Sequence, residues 1–172
     1  MKGNCLSIGA VIIVLNAFIL VSVRADDLAG AAHSIDGDTI VVLGEQIRLF
    51  GIDAPEVQQL CQRQGSYWPC GVAAAHALAQ KVVGRDVICR PRAHDRHWRV
   101  FGICYVDGED LNAWVVREGW ALAYRRHSMD YVEAEEEAKA ARRGLWSSEF
   151  QMPWEYRRKK PAAGAPETGK LE

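Results

Sequence analysis

The stretch 29–53, AGAAHSIDGDTIVVLGEQIRLFGID, decides the fold. It contains three short β-rich runs: Ala29–Ser34, Thr39–Leu43 and Gln46–Ile52. Asp36-Gly37-Asp38 turns the chain between the first two, and Gly44-Glu45 turns it between the second and third. Just beyond, over Val57–Trp68, polarity rises, Gln recurs and periodicity is lost, which reads as a loop. From Gly71 to Val83 the residues Val72, Ala75, Leu78, Ala79 and Val82 recur at helical spacing until Gly84 ends the run. Asp86–Arg90 and Arg99–Val106 are strand-like and flank a polar, basic stretch, the pattern of an antiparallel hairpin with a longer loop. Leu111–Glu118 reads as a short helix stopped by Gly119, and Tyr131–Arg143 as a longer one stopped by Gly144. Three strands, a helix, two strands and then helices suggest a small barrel rather than a doubly wound sheet. The expected class is mainly β with helices (α+β): a five-stranded OB-fold barrel with about three packed helices.

Outward from this body the chain changes character at both ends. Lys2 precedes an apolar stretch from Leu6 to Val23, and Val23-Arg24-Ala25 offers a small-residue cleavage site ahead of Asp26-Asp27. Residues 1–25 are therefore expected to be a signal peptide, with a retained membrane anchor as the rival reading. After cleavage no stable membrane association is expected. The domain would run over 26–156, and 157–172, opening on Arg157-Arg158-Lys159-Lys160, would be a disordered basic tail rich in Pro and Ala. The net charge of -1 gives no whole-molecule sign of a nucleic-acid binder. Loss of Lys2 and Arg24 leaves 19 basic residues against 22 acidic, a net of -3. Composition, at 49% hydrophobic and 25% charged, excludes a disordered chain and a polytopic membrane protein.

Four cysteines remain after the signal: Cys61, Cys70, Cys89 and Cys104. An even number in an exported protein, periplasmic or secreted, suggests two disulfides with three pairings open. Zinc is the rival, but there is no C-x-x-C pair; buried free thiols are the plain alternative.

Suspicious polar residues crowd between Asp36 and Glu56. Asp38 follows a tight turn, and Arg48, Asp53 and Glu56 come within a short span. Two Asp side chains and a backbone carbonyl make an oxygen-only site that suits calcium. Pro55 fixes its own backbone and restricts Ala54, which helps aim the peptide carbonyl there. Phosphodiester hydrolysis needs a cation to neutralise phosphate, a carboxylate to take water's proton, and guanidinium groups for the more highly charged transition state. Each residue alone has an ordinary explanation as a turn, a cap or a surface ion-pair partner.

The order of motifs adds more. Asp36-Gly37-Asp38-Thr39, then Arg48-Leu49-Phe50-Gly51-Ile52-Asp53-Ala54-Pro55-Glu56, resembles the two opening motifs of the staphylococcal nuclease (thermonuclease) family. Asp95-Arg96-His97-Trp98-Arg99 matches the family's D-x-x-x-R segment. Asp110-Leu111-Asn112 and Val116-Arg117-Glu118-Gly119-Trp120-Ala121 resemble the helix that follows. The resemblance covers about Ala32 to Trp146. It implies that Asp38, Asp53 and the Ala54 carbonyl bind Ca2+, that Arg48 and Arg99 grip the scissile phosphate, and that Glu56 is the general base. The implied activity is an endonuclease on DNA or RNA that leaves 3′-phosphorylated ends. A non-catalytic OB-fold module that binds nucleic acid or protein is the alternative.

One departure stands out. Where the family has Gly before its second arginine, and often Tyr before that, this chain has Trp98 and His97. Trp98 could stack on a base, shift Arg99, or pack on the barrel's rim. Arg85, Arg90, Arg92, Arg96 and Arg99 with His94 and His97 form a basic stretch suited to a single strand; Arg96, His97 and Trp98 are the candidate substrate contacts. A monomer is expected. The disulfides are expected to be Cys89–Cys104, across the hairpin, and Cys61–Cys70, closing a short loop near Glu56.

Overall fold

The computed structural model describes residues 26–96 and 98–159. The segment 1–25, His97 and the tail from residue 160 lie outside the described residues. In chain order the strands and helices begin with β1 (Leu28–Ser34), β2 (Thr39–Val42), β3 (Glu45–Leu49) and β4 (Ile52–Asp53). Next come β5 (Cys61–Arg63), β6 (Ser66–Trp68), α1 (Cys70–Val82), β7 (Asp86–His94), β8 (Val100–Val106) and β9 (Glu109–Asp110). The rest are α2 (Leu111–Arg117), β10 (Leu122–Ala123), α3 (Val132–Ala140), a 3-10 turn (Gly144–Ser147) and α4 (Pro153–Lys159).

The main sheet runs β3-β2-β1-β7-β8-β9, and an added pairing of β3 with β8 closes it. β1, β2, β3, β8 and β7 thus form a five-stranded barrel in which only the β3–β8 seam is parallel. This is the expected OB-type α+β architecture. Alternation explains it: Ile40, Val42, Ile47, Leu49, Val87 and Val106 point inward and are buried. α1 closes the interior with Leu78 and Val82, and α2 with Leu111, Val115 and Val116. Burying each of these side chains stabilises the fold by about 1.5–3 kcal/mol, against about 0–1 kcal/mol for an exposed ion pair. The barrel, not its charged surface, holds the molecule together.

Several boundaries differ from the sequence reading. The run Gln46–Ile52 is not one strand: it breaks at Phe50-Gly51, where Gly51 has φ 76° and a Cβ would meet the Tyr131 ring at 2.9 Å. Val57–Trp68 is not wholly loop, since β5 and β6 pair across Gln64-Gly65, both at positive φ. The helix expected over Tyr131–Arg143 is shorter, Val132–Ala140. Four helices, rather than three, occur among the described residues. The fourth corrects the tail: Arg157, Arg158 and Lys159 are helical, not disordered.

A second apolar cluster joins Cys61, Cys70, Leu122 and Leu145 to Trp68, Trp146, Phe150, Met152 and Trp154. It seats the β5–β6 hairpin and the segment leading into α4. Cys61 is bonded to Cys70 and Cys89 to Cys104; the latter two are register partners on β7 and β8. No helix among the described residues is long and apolar enough to cross a membrane.

Candidate active site

Strand geometry places the first three groups. The Asp36 carboxylate accepts the Asp38 N–H at 3.0 Å, fixing the turn that delivers Asp38 to the start of β2. Arg48 on β3 is the register partner of Thr39, next to Asp38. Beyond the Phe50-Gly51 break, Asp53 is held by β10, where it pairs with Leu122. Asn112, fully buried, braces that break: its Nδ2 donates to the carbonyls of Phe50 (2.9 Å) and Gly102 (3.1 Å), and its Oδ1 accepts from Cys104 N (3.1 Å).

The side chains converge. Arg48 Nη2 donates to Asp38 Oδ2 at 2.8 Å and to Asp53 Oδ1 at 2.9 Å. Asp38 Oδ2 also accepts the Ala54 N–H at 3.0 Å, and Thr39 Oγ1 donates to Asp38 Oδ1 at 3.1 Å. Both carboxylates are buried, 3% and 2% exposed, and Asp38 lines a small cavity of about 90 Å³ with Asp36, Arg48, Ala54, Pro55 and Glu56 among others. Burial pushes the Asp38 carboxyl up to about 7, against the pull of Arg48.

Glu56 stands at the rim on a loop with its own supports. Gln59, 1% exposed, accepts the Glu56 N–H at Oε1 (3.3 Å), and its N–H donates to the Glu56 carbonyl (2.7 Å). Gly71 in the first turn of α1 lies so close beneath that an added Cβ would overlap the Glu56 carbonyl oxygen. No side chain larger than hydrogen fits there.

Arg99 stands just before β8. Across the parallel seam Val100 is the partner of Ile47 and Phe101 that of Arg48, so Arg99 lies two residues ahead of Arg48's own partner. Its own contacts are with Asp95, which accepts Arg99 N at 3.0 Å and Nε at 2.7 Å. This accounts for the D-x-x-x-R spacing: one carboxylate holds both the backbone and the side chain of the arginine. Trp98 between them is 82% exposed with φ 62°, a left-handed backbone that favours Gly. It does not pack on the barrel's rim. Arg96 is exposed on the same loop.

Arg157 was not singled out from the sequence, yet α4 brings it into the site. Its Nη1 donates to Asp53 Oδ1 (3.0 Å) and Glu56 Oε1 (2.9 Å), and its Nη2 to Asp53 Oδ2 (2.7 Å). Burial works against its charge, but the bonds to Asp53 and Glu56 hold its pKa above the ordinary guanidinium value. A groove of about 420 Å³ lined by Tyr124, Arg125, Arg126, Trp154 and Arg158 opens beside α4. Sequence did carry a signal for this helix: Pro153 at its first position, Glu155 in its first turn and basic residues in its last.

Asp38 and Asp53 bring hard oxygens to one point, and Ala54 joins them at the same corner. That set fits a divalent cation bound through oxygen. Among the described residues no three His, Cys, Asp or Glu side chains cluster as metal ligands, so the protein offers such an ion few groups.

A carboxylate–guanidinium corner at the mouth of a five-stranded barrel defines a phosphodiesterase-type site on an OB fold. Comparison with known proteins makes this specific. The family model described as "Staphylococcal nuclease homologue" matches residues 46–148. The chain is 31% identical to "Micrococcal nuclease" of Shigella flexneri, over 92% of this chain and 96% of that protein. It is 35% identical to "Succinoglycan biosynthesis protein ExoI" of Rhizobium meliloti (strain 1021), over 73% and 68% of the two chains. It is also 33% identical to an "Uncharacterized endonuclease" of Escherichia coli, over 79% and 88%. The chain belongs to the staphylococcal nuclease family.

Proposed function

We propose that this nuclease hydrolyses DNA or RNA with calcium as its cofactor and leaves 3′-phosphorylated ends. The observation that carries the reading is the meeting of Asp38 Oδ2 and Asp53 Oδ1 on a single Arg48 nitrogen, with Glu56 at the rim of the same cavity. Asp38, Asp53 and the Ala54 carbonyl would hold the ion, which supplies neutralisation of phosphate charge. Arg48 turns its guanidinium to the scissile phosphate, where its planar fork matches two oxygens. Arg99, oriented by Asp95, reaches the phosphate from the β8 side. Glu56 takes the proton of the attacking water, and the 5′-oxygen leaves. Arg96 and Trp98 would lie along the path of a single strand, where an exposed indole offers a stacking face; His97, the third expected contact, lies outside the described residues.

With few protein ligands, affinity for calcium should be weak, on the order of 10⁻⁴ to 10⁻³ M, and substrate phosphate should complete the shell. Export fits the two disulfides. Cleavage after Ala25 is part of the same reading, checked by the N-terminal sequence of the exported protein.

The test is cleavage of single-stranded DNA at millimolar calcium and again with chelator, with the product ends identified. Calcium-dependent cleavage to 3′-phosphates is the expected result. Intact binding with no products would leave the non-catalytic module instead.

A further inference from the structure

The cation-binding reading gives Asp53 a ligand's role, yet Asp53 already has a full set of cationic partners. Arg157 spans both of its carboxylate oxygens, at 3.0 and 2.7 Å, and shares Nη1 with Glu56 at 2.9 Å. We propose that Arg157 is an internal cation that competes with the divalent ion for Asp53, so that α4 sets the metal affinity of the site. This inference rests on the metal reading above and adds a determinant to it.

The geometry supports competition rather than simple bracing. A forked guanidinium uses the carboxylate edge through which Asp53 would face an ion. A dication brought to the same oxygens meets a fixed positive charge at contact distance in a poorly solvated corner, where like charges repel strongly. The ion must therefore displace the fork from at least one oxygen.

α4 does not depend on this fork for its place. Gln59 Nε2 donates to the Gln151 carbonyl at 2.7 Å, Pro153 is buried, and the Trp154 ring lies 5.6 Å from that of Tyr124. Arg157 can leave Asp53 while the helix stays docked. The segment that carries it also lies beyond residue 148, where the family match ends.

The experiment is calcium titration by isothermal calorimetry of the unaltered protein, Arg157→Ala, Arg157→Gln and Arg158→Ala, each checked for its melting temperature in chelator. Both Arg157 variants should bind calcium roughly ten- to a hundredfold more tightly, the range for losing a charge-assisted contact. Arg158→Ala, changed on the same helix but without bonds to Asp53, should match the unaltered protein. Gln keeps the bulk of the side chain, so it answers the question if Arg157→Ala fails to fold. Equal or weaker binding by the folded variants overturns competition; weaker binding would mean that Arg157 props the site instead. Failure of every protein to bind calcium sinks the metal reading itself and takes this inference with it.

Discussion

The barrel and the C-terminal segment both reach Asp53, the first through Arg48 and the second through Arg157, and they hold their parts of the site by different means. On the barrel side, Asp38, Arg48 and Asp53 sit on or beside paired strands above a closed apolar core. Their positions follow from register, which cannot slip without turning buried side chains outward. On the other side, Glu56 and Arg157 belong to a loop and a short helix tied down by Gln59, the Cys61–Cys70 bond and a cluster of aromatic residues. These are ties between separate segments, and each can be lost alone. The difference teaches where rigidity and adjustment lie. Groups that would hold the ion are set by barrel register, whereas Glu56 and Arg157 ride on a loop and a short helix.

Four variants probe this contrast. Glu56→Gln removes the base from the adjustable side, and turnover should fall by about 10²–10⁴-fold while oligonucleotide binding persists. Cleavage rates and fluorescence anisotropy check both halves; near-normal turnover would remove Glu56 from the chemistry. Arg48→Lys keeps the charge of the rigid side but not the fork, and should lower kcat by about 10²–10³-fold with little change in melting temperature. Replacing Cys61 and Cys70 by Ser should cost about 2–3 kcal/mol of unfolding free energy in denaturant titration. It should also lower activity, because the bond anchors the hairpin that follows Glu56; stability lost with activity kept would uncouple that hairpin from the site. The smallest effect belongs to Trp98→Gly. Relief of the left-handed backbone should add up to about 1 kcal/mol, set against the greater freedom of Gly in the unfolded chain. If Trp98 stacks on substrate, KM for single strands should rise in the same variant.

The barrel was legible in the sequence because its strands alternate and its turns carry Gly and Asp. Ile40 and Val42, and Ile47 and Leu49, alternate along two of the runs read as strands, and all four are buried. Asp38, Arg48, Asp53 and Glu56 were legible through their crowding between Asp36 and Glu56, and Arg99 through its resemblance to the family's D-x-x-x-R segment. What escaped notice shares a physical cause. β5 and β6 have three residues each, too few to show a period, and β6 is largely exposed. The break at Phe50-Gly51 follows from Asn112, far along the chain. Arg157 lies 104 residues from Asp53, and within its own neighbourhood it reads as the start of a basic tail. Local pattern finds elements that hold themselves together; it misses those that exist only through distant partners.

The central claim is that Asp38 and Asp53 form one cation site served by Glu56 and guarded by Arg157. A crystal structure of the protein with calcium and a short DNA product tests it most directly. The account predicts an ion bound to Asp38, Asp53 and the Ala54 carbonyl, with the Arg157 fork drawn off at least one Asp53 oxygen. An ion bound elsewhere, or an Asp53 still spanned by Arg157 with calcium in place, would contradict it.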